Sequence, residues 1–408
     1  MPTSNQGVSF VGVFTDLYRP KIDGVSIVVE SYVKEILRKG VNFDLYAPQM
    51  PGHYLDDTNI YRFHSIPAYF DVETRIPVPF EPRYLKRAFT QPYRIIHSHT
   101  PGPIGMVAGQ ISKFRSIPHV HTFHGYLPDY AHYFFGDSGL SISIMNRFAS
   151  WWANQVDYLI VPSRKVKNWL EQHGVEREIR IIPNGINLSM FAPTEKSAVG
   201  AKVKNTFLVN AGLVEANDFV LLYVGRIAKE KSVDLLIEYV APLLEQFANC
   251  KLVLVGDGPD KQYLEDKVRG LTIKDQIVFT GYFPSSTLPH VYRSADIFTF
   301  LSTSETQGMV VLEAIASGLP VVVSNDAAFE QMVIDGRNGY YVNTKGQFAD
   351  AVRELYHHRS TRISFAQHGL EIAKLFDISL TTQHVLDYYD YIVADYKQRG
   401  MTSPKNMS

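Results

Sequence analysis

Short apolar runs alternate with stretches of helical periodicity along most of the chain. This alternation is typical of βαβ units, in which helices cover a parallel sheet. A helix is predicted over residues 24–39, opened by Gly24 at the end of the first strand. The first set of predicted strands covers residues 8–14, 41–47, 93–97, 118–123, 158–162 and 179–183.

A second set of apolar runs begins near residue 218. Its predicted strands cover residues 219–224, 252–256, 276–280, 297–301 and 320–324. Residues 193–217 lack a strong strand pattern, so we expect the domain boundary there. The pattern therefore predicts an α/β protein of two Rossmann-like, doubly wound domains facing across a cleft. The predicted divisions are 1–195, 196–378 and 379–408, the last containing an amphipathic, aromatic helix over residues 379–398.

Composition narrows the class of protein further. A chain of 408 residues with 45% hydrophobic residues is long enough for two cores, and a net charge of −1 excludes a general attraction to nucleic acid. The single cysteine, Cys250, excludes an internal disulfide. No apolar run reaches the length of a membrane span, and no basic segment precedes the first apolar run, so we expect no signal peptide.

Two glutamates eight positions apart, Glu305 and Glu313, mark the most informative stretch. A helix should begin near Gln307 or Gly308 and end near Ser317. Its N-terminus, whose free N–H groups favour an anion, then lies between the two carboxylates. That order matches the sugar, diphosphate and ribose of a nucleotide sugar. The simpler alternative is an ordinary capped helix with a solvated glutamate.

The turns that follow other predicted strands carry cations and glycines. Arg226 and Lys231 follow the strand at 219–224 and suit a diphosphate, although a solvated basic turn has the same composition. Gly256 either lets the backbone approach a nucleoside or only permits a tight turn. Tyr282 ends a third strand, where it can lie beside a base.

Histidines concentrate in the first domain. His97 with His99, and His119 with His121, each place two imidazoles on one face of a strand, as in a zinc site or as hydrogen-bonded core residues. Neither pair has a carboxylate or cysteine at ligand spacing. The chain also lacks an Asp-x-Asp motif, so we expect no metal or other cofactor. His124, beyond a strand end, is best placed to enter the cleft.

Together these elements resemble the family-four retaining glycosyltransferases of GT-B architecture, from Phe14 to about Pro320 and again in the terminal helix. The order and spacing of six motifs carry the resemblance. They are Tyr18-x-Pro20-x3-Gly24, His121-Thr122-Phe123-His124, Ile182-Pro183-Asn184-Gly185-Ile186, Gly225-Arg226-x4-Lys231, Val255-Gly256-Asp257-Gly258-Pro259 and Glu305-x7-Glu313. One departure is Ser232, where many members have glycine.

The resemblance implies a role for each matching position. It implies catalysis by His124, Glu305, Arg226 and Lys231, of which Arg226 and Lys231 hold the donor diphosphate and His124 contacts the donor sugar. It also implies that the last helix crosses back to the first domain, and that the anomeric configuration is retained. The predicted donor-binding residues are Gly24, Thr306, Gln307, Gly308, Met309, Glu313, Gly256 and Tyr282.

The prediction of the acceptor rests on a second resemblance and on the charge of residues 74–128. Residues 126–134 resemble the corresponding loop of bacterial enzymes that glucosylate diacylglycerol. Residues 74–128 hold seven Lys or Arg against one acidic residue, Glu81, with interleaved aromatics. This composition is typical of a surface that docks on anionic lipid, although the aromatics of a partly solvated helix can equally form a core. The acceptor-side candidates are Asp16, Tyr18, Asp129 and His132.

The expected protein is therefore a cytoplasmic hexosyltransferase, peripheral on the inner face of the cell membrane. Its partners are a nucleotide sugar such as UDP-glucose and a lipid such as diacylglycerol. Two alternatives remain, namely transfer to a soluble or polymeric glycan and nucleotide-sugar binding without transfer. An NAD-dependent oxidoreductase is disfavoured because the first strand lacks Gly-x-Gly-x-x-Gly.

Overall fold

The computed structural model describes residues 8–21, 23–52, 55–57, 59–68, 75–125, 139–193 and 206–400. The chain divides into two compact units. The first unit comprises Met1–Gly185 with Ile378–Ser408, and the second comprises Ile186–Asp377.

The first unit contains a parallel sheet with the strand order β3-β2-β1-β6-β7-β8-β9, and a separate antiparallel pair of β4 with β5. Adjacent residues of β1 enter different clusters, Val13 on the side of the terminal helix and Phe14 on the other, so helices cover both faces. The elements are β1 (Phe10–Phe14), α1 (Gly24–Arg38), β2 (Asn42–Pro48), β3 (Ile60–Phe63), β4 (Ser65–Pro67), β5 (Arg75–Pro77), α2 (Pro82–Thr90), β6 (Ile95–Ser98), α3 (Pro103–Arg115), β7 (His119–Thr122), α4 (Gly139–Gln155), β8 (Tyr158–Val161), α5 (Arg164–Gln172) and β9 (Glu178–Ile181).

The second unit has a parallel sheet with the order β12-β11-β10-β13-β14-β15. The terminal helix α14 (Ile378–Gln398) follows this unit in the chain but belongs to the first. The elements are α6 (Leu188–Phe191), α7 (Thr206–Asn210), β10 (Phe219–Val224), α8 (Val233–Gln246), β11 (Cys250–Val255), α9 (Lys261–Arg269), β12 (Ile277–Gly281), α10 (Leu288–Arg293), β13 (Ile297–Phe300), α11 (Met309–Ala316), β14 (Val321–Ser324), β15 (Gly339–Val342), α12 (Lys345–His357) and α13 (Arg359–Ala373).

Each sheet has one point where the strand order reverses. In the first unit this point lies between β1 and β6, and in the second between β10 and β13. Ligands of open α/β sheets bind outside the carboxyl ends of the strands at such a point. The turns that follow β10 and β13 are therefore the part of the second unit where a ligand site is expected.

The terminal helix packs on the first unit, as the resemblance implied. Tyr389 of α14 is fully buried, its hydroxyl meets that of Tyr32 on α1, and it lies 2.6 Å from Nδ1 of His97. Val385 and Ile392 join the same apolar cluster as Val29. Two Rossmann-like units with a returning helix are the predicted fold class.

The unit boundary differs from the sequence prediction of 195/196, because it lies between Gly185 and Ile186. The amide of Ile186 donates to the carbonyl of Phe376 (2.9 Å), and Phe191 packs against Tyr292 of α10. Helix α6 thereby belongs to the second unit. Strands β3, β4, β5 and β15 were not predicted, because each has only three or four residues and a weak apolar pattern.

Candidate active site

Lys231 and Glu305 meet at the reversal point of the second sheet. Lys231 ends a short 3₁₀ turn after β10, and Glu305 follows β13, the neighbouring strand. The Lys231 ammonium lies 2.6 Å from Oε1 of Glu305, and the side chains are 22% and 15% exposed. The turns that follow two adjacent strands thus place a cation beside a carboxylate in a partly buried site.

Two serines hold this pair in place. Ser302 is fully buried, and its Oγ lies 3.2 Å from Oε1 of Glu305 and 3.1 Å from Oγ of Ser304. Ser304 Oγ donates to the carbonyl of Glu230 at 3.0 Å and lies 3.4 Å from the Lys231 ammonium. Each hydroxyl has one proton to donate, and Ser304 donates its proton to the Glu230 carbonyl. The Glu305 carboxylate can only accept, so Ser302 donates to it. Sequence analysis missed Ser302, although a small polar residue directly after a buried strand was the available signal.

Helix α11 begins at the predicted place. Gly308 is its N-cap with φ +76°, and a Cβ there would lie 2.4 Å from the ring of Phe329, so only glycine fits without displacement. The first N–H groups of a helix have no intrahelical acceptor and point toward its N-terminal end. Thr306 and Gln307 lead into this end, with Gln307 buried and Met309 as the first helical residue.

Glu313 lies on α11 and accepts a 2.8 Å hydrogen bond at Oε2 from the hydroxyl of Tyr292. Burial raises the pKa of Glu313 to about 7, and the hydrogen bond from Tyr292 opposes that shift. Tyr292 was not among the predicted site residues. A tyrosine in a short helix gives no sequence signal that its hydroxyl reaches a carboxylate on another helix.

The glycine turn at Gly256 has a structural cause. Its amide donates to the carbonyl of Gly281 (2.9 Å), and a Cβ on Gly256 would lie 1.9 Å from the carbonyl oxygen of Gly225. This close approach of the two backbones requires glycine at position 256, which agrees with the interpretation of Gly256 as part of a tight turn. Arg226 and Tyr282 are both exposed beside these turns, and the Arg226 carbonyl accepts from Tyr223 at 2.8 Å.

The strand histidines of the first unit are hydrogen-bonded core residues. His97 lies 2.7 Å from Oγ1 of Thr122, and His119 and His121 share Oγ of Ser98 at 2.7 and 2.8 Å. Burial lowers the pKa of His119 to about 3 and lowers those of His97 and His121 well below the ordinary value. Among the described residues, no group of three or more His, Cys, Asp or Glu is arranged to hold a metal.

His124 lies just beyond β7, as expected, and is half-buried. Its Nε2 lies 2.9 Å from Nδ1 of His99, and burial lowers the pKa of His124 to about 4. The imidazole is therefore neutral at physiological pH, suited to hydrogen bonding with a neutral hydroxyl. Contact with a donor sugar stays a prediction.

Gly24 and the acceptor-side candidates lie at the start of the first unit. Gly24 is exposed at the first position of α1, with open space where a Cβ would stand. Asp16 accepts from the amide of Ile104 (2.8 Å) and from Oγ1 of Thr100 (2.5 Å), and burial raises its pKa to about 6. These bonds engage both carboxylate oxygens of Asp16 in holding the start of α3.

Tyr18 is buried, and the guanidinium of Arg62 lies 5.2 Å from its ring centroid. Asp129 and His132 lie outside the described residues. The acceptor-side assignments therefore stay predictions.

The basic and aromatic stretch of the first unit contains both surface and core residues. Arg83 and Lys86 of α2 are exposed, and so are Phe80 (78%) and Phe114 (76%). Arg87, in contrast, makes two 2.9 Å hydrogen bonds to the buried carboxylate of Asp44. Helix α4 adds a set of exposed apolar side chains that the sequence analysis did not identify, namely Leu140, Ile142, Ile144 and Trp151. None of the described helices is long and apolar enough to cross a membrane.

Two family models match the chain in turn. Residues 22–190 match Glycosyltransferase Family 4, and residues 206–371 match Glycosyl transferases group 1. These matches fall largely on the first and second structural units, respectively.

Several curated proteins are similar to the chain along most of its length. It is 28% identical over 402 residues to an alpha-monoglucosyldiacylglycerol synthase of Streptococcus pneumoniae, which covers 98% of the chain and 89% of that protein. It is also 28% identical to an enzyme of the same name from Acholeplasma laidlawii, covering 86% and 88% of the two. A sulfoquinovosyl transferase of Arabidopsis thaliana is 28% identical over 79% of the chain and 61% of that protein.

Solved structures share the fold at lower sequence identity. The HepE protein of Anabaena, crystallised with UDP, aligns with a TM-score of 0.73 and 18% identity over 94% of the chain and all of HepE. A sucrose-phosphate synthase of Thermosynechococcus elongatus aligns with a TM-score of 0.75 and 19% identity over 95% of the chain and all of that protein. These alignments agree with the two-unit architecture and the order of its elements.

Proposed function

The chain belongs to the family-four glycosyltransferases, and we propose that it moves a hexose from a nucleotide sugar, such as UDP-glucose, to a membrane lipid such as diacylglycerol. In this reaction the bond from the anomeric carbon to the diphosphate oxygen breaks. A bond to the acceptor hydroxyl oxygen forms with the same anomeric configuration, and the acceptor loses its proton. The products are the glycosylated lipid and the nucleoside diphosphate.

The observation that carries the donor half of this proposal is the meeting of Lys231 and Glu305 beside the N-terminus of α11. The Lys231 ammonium neutralises charge that grows on the departing diphosphate, and the helix N-terminus and Arg226 add to this effect. Glu305 accepts bonds from sugar hydroxyls, which are donors. These groups supply the charge that a divalent metal supplies in other transferases, so we propose metal-independent transfer.

Two observations support a lipid acceptor. The similarity to one alpha-monoglucosyldiacylglycerol synthase covers 98% of the chain and 89% of that protein. In the first unit, exposed Phe80 and Phe114 accompany the exposed cations Arg83 and Lys86. Apolar side chains beside cations suit an anionic lipid surface, where the acceptor of such a reaction resides.

The test is transfer by the purified protein on vesicles of phosphatidylglycerol and diacylglycerol, with UDP-glucose and EDTA present. We expect glucosyldiacylglycerol and UDP in equal amounts, and no product from Glu305→Gln. UDP-galactose and GDP-mannose in parallel identify the donor. Transfer only to soluble glycans would replace the lipid acceptor, and donor binding without turnover would show a non-catalytic protein. Activity that requires added magnesium would contradict metal independence.

A further inference from the structure

Tyr292 lies against Glu313 in a setting that fixes both side chains. It is fully buried on α10, with ring centroids 6.1 Å from that of Phe191 and 5.8 Å from that of Phe298. Its hydroxyl donates the 2.8 Å bond to Oε2 of Glu313. A phenol held by rings on two other elements has little freedom to leave its acceptor.

The direction of that hydrogen bond follows from burial. Burial and then the neighbouring charge of Glu313 raise the pKa of Tyr292 well above the ordinary value, so the phenol keeps its proton and donates it. Burial disfavours the ionised form of Glu313, whereas the bond from Tyr292 favours it. Among the described residues, Tyr292 is the hydrogen-bond donor to Glu313, and its bond opposes the effect of burial on the charge of the carboxylate.

Among the elements packed most closely on α11, only α10 and α13 carry ionisable side chains. Helix α6 and strands β13 and β14 contain no ionisable residue. The shift in the pKa of Glu313 has two causes, burial and Tyr292. The ionisable side chains of the two remaining helices are His290 and Arg293 on α10 and Arg359, Arg362, His368 and Glu371 on α13.

We propose that Tyr292 is a positioning residue for the nucleotide, whose hydroxyl aims the Glu313 carboxylate and keeps it ionised to accept the ribose hydroxyls of the donor. The inference rests on the proposed function, because it takes Glu313 as the ribose acceptor. It adds a residue that does not itself touch the nucleotide. Nucleotide binding and the protonation of Glu313 then become one linked equilibrium.

The linkage has a definite sign. Ribose hydroxyls donate to the ionised carboxylate, so binding favours loss of the Glu313 proton and weakens as the pH falls through about 7. Replacing Tyr292 by Phe removes a donor to the charged form and raises the pKa of Glu313 further. A hydrogen bond to a charged group corresponds to a shift of about one pH unit in the midpoint.

The experiment is calorimetric titration of UDP into wild type and Tyr292→Phe between pH 6 and 9. We expect the midpoint for loss of affinity to lie about one pH unit higher in Tyr292→Phe, with about a fivefold weaker Kd at pH 7 and near-equal Kd values at pH 9. Titrations of wild type at pH 7 in two buffers of different ionisation enthalpy should show about half a proton released by the protein on binding, because Glu313, with a pKa of about 7, is about half protonated there. With 2′-deoxyuridine diphosphate, which lacks one ribose hydroxyl, the difference between the two proteins should shrink.

Tyr341→Phe is the matched control. It removes the hydroxyl of a half-buried tyrosine in the same unit, and that hydroxyl donates to the carbonyl of Val333 (3.1 Å) instead of to Glu313. It should bind UDP as wild type does at every pH. An unshifted midpoint in Tyr292→Phe, with wild-type UDP binding intact, would overturn the inference and leave the transferase proposal standing. If Tyr292→Phe weakened UDP binding equally at all pH values, Tyr292 would contribute only packing. A wild type that binds neither UDP nor GDP at any pH would overturn both.

Discussion

The ammonium of Lys231 lies 2.6 Å from Oε1 of Glu305, although 74 positions separate them in the chain. The two strands that they follow, β10 and β13, are adjacent only because the strand order reverses between them. This ion pair places the cation that we propose for the diphosphate and the carboxylate that we propose for the sugar at one point of one unit.

Replacing either member of this pair should nearly abolish transfer. Glu305→Gln removes the charge that orients the sugar, and Lys231→Ala removes the cation that faces the leaving diphosphate. Each change should lower kcat/KM by about a hundredfold or more. The measurement is steady-state transfer by variants whose Tm and circular dichroism match wild type. Wild-type turnover in either folded variant would refute the donor-site assignment.

Removing the Ser302 hydroxyl should slow transfer without weakening donor binding. Ser302 donates to Glu305 Oε1, so Ser302→Ala lets the carboxylate rotate, and kcat should fall about tenfold while the Kd for UDP stays within about twofold. Ser302→Thr, which restores a hydroxyl, should recover part of the rate. Ser324→Ala is the control, because Ser324 donates to the Ser302 carbonyl at 2.6 Å and does not contact Glu305. Equal kcat losses in both alanine variants would assign Ser302 a purely structural role.

The sequence predicted the regular elements well because their apolar runs are long and bounded by glycine and proline. Strand β10 and helix α11 illustrate this, since both were placed within about two residues. Strand β15 was missed because it begins with glycine and two of its four residues are half-buried tyrosines, so its apolar pattern is weak.

The residues of the candidate site likewise fall into those that the sequence identified and those that it did not. Lys231 and Glu305 stand in strand-to-helix turns, where local motifs identify them. Ser302 and Tyr292 are identified by contacts set by tertiary packing. Tyr292 does not stand out in its own segment, and the available signal for Ser302 was its place directly after a buried strand. Arg87 lies in the basic stretch at 74–128, and its charge gave no sign that its guanidinium pairs with buried Asp44.

Membrane docking through the first unit should depend on Arg83 and Lys86. Reversing both to Glu should weaken binding to phosphatidylglycerol vesicles by about tenfold or more at low salt, because each cation near such a surface contributes about 1 kcal/mol. Arg87 is left intact, since its loss would leave the Asp44 carboxylate buried without its ion pair. Flotation with vesicles measures binding, and slow UDP-glucose hydrolysis without acceptor should be unchanged.

Lys267→Glu with Lys274→Glu is the matched control for docking. Both lysines are exposed in the second unit, so the net charge changes equally. This variant should float as wild type does. If it lost vesicle binding as strongly as the first-unit variant, net charge and not a defined surface would account for docking. A wild-type protein that ignores anionic vesicles at low salt would remove the lipid proposal.

Acid should destabilise the first unit through its buried histidines. Their folded-state pKa values lie below the ordinary 6.5, at about 3 for His119 and about 4 for His124. Below pH 6.5 the unfolded chain therefore binds more protons than the folded one, and stability falls with pH until the folded-state values are reached. Asp16, whose pKa is raised to about 6, acts in the opposite direction between about pH 4 and 6. Burial also raises the pKa values of Asp23 and Asp157, so three carboxyls oppose five histidines.

We expect Tm to fall by about 5 °C or more between pH 7.5 and pH 5 in scanning fluorimetry. His119→Gln retains hydrogen-bonding groups near Ser98 but cannot titrate, so its Tm should fall less over the same range. His357, on the surface of α12, provides the comparison, and His357→Gln should keep the full wild-type slope. A Tm that stays constant from pH 7.5 to pH 5 in wild type would contradict the assignment of neutral, buried imidazoles. Equal slopes of Tm against pH in wild type and His119→Gln would show that groups other than His119 cause the acid sensitivity.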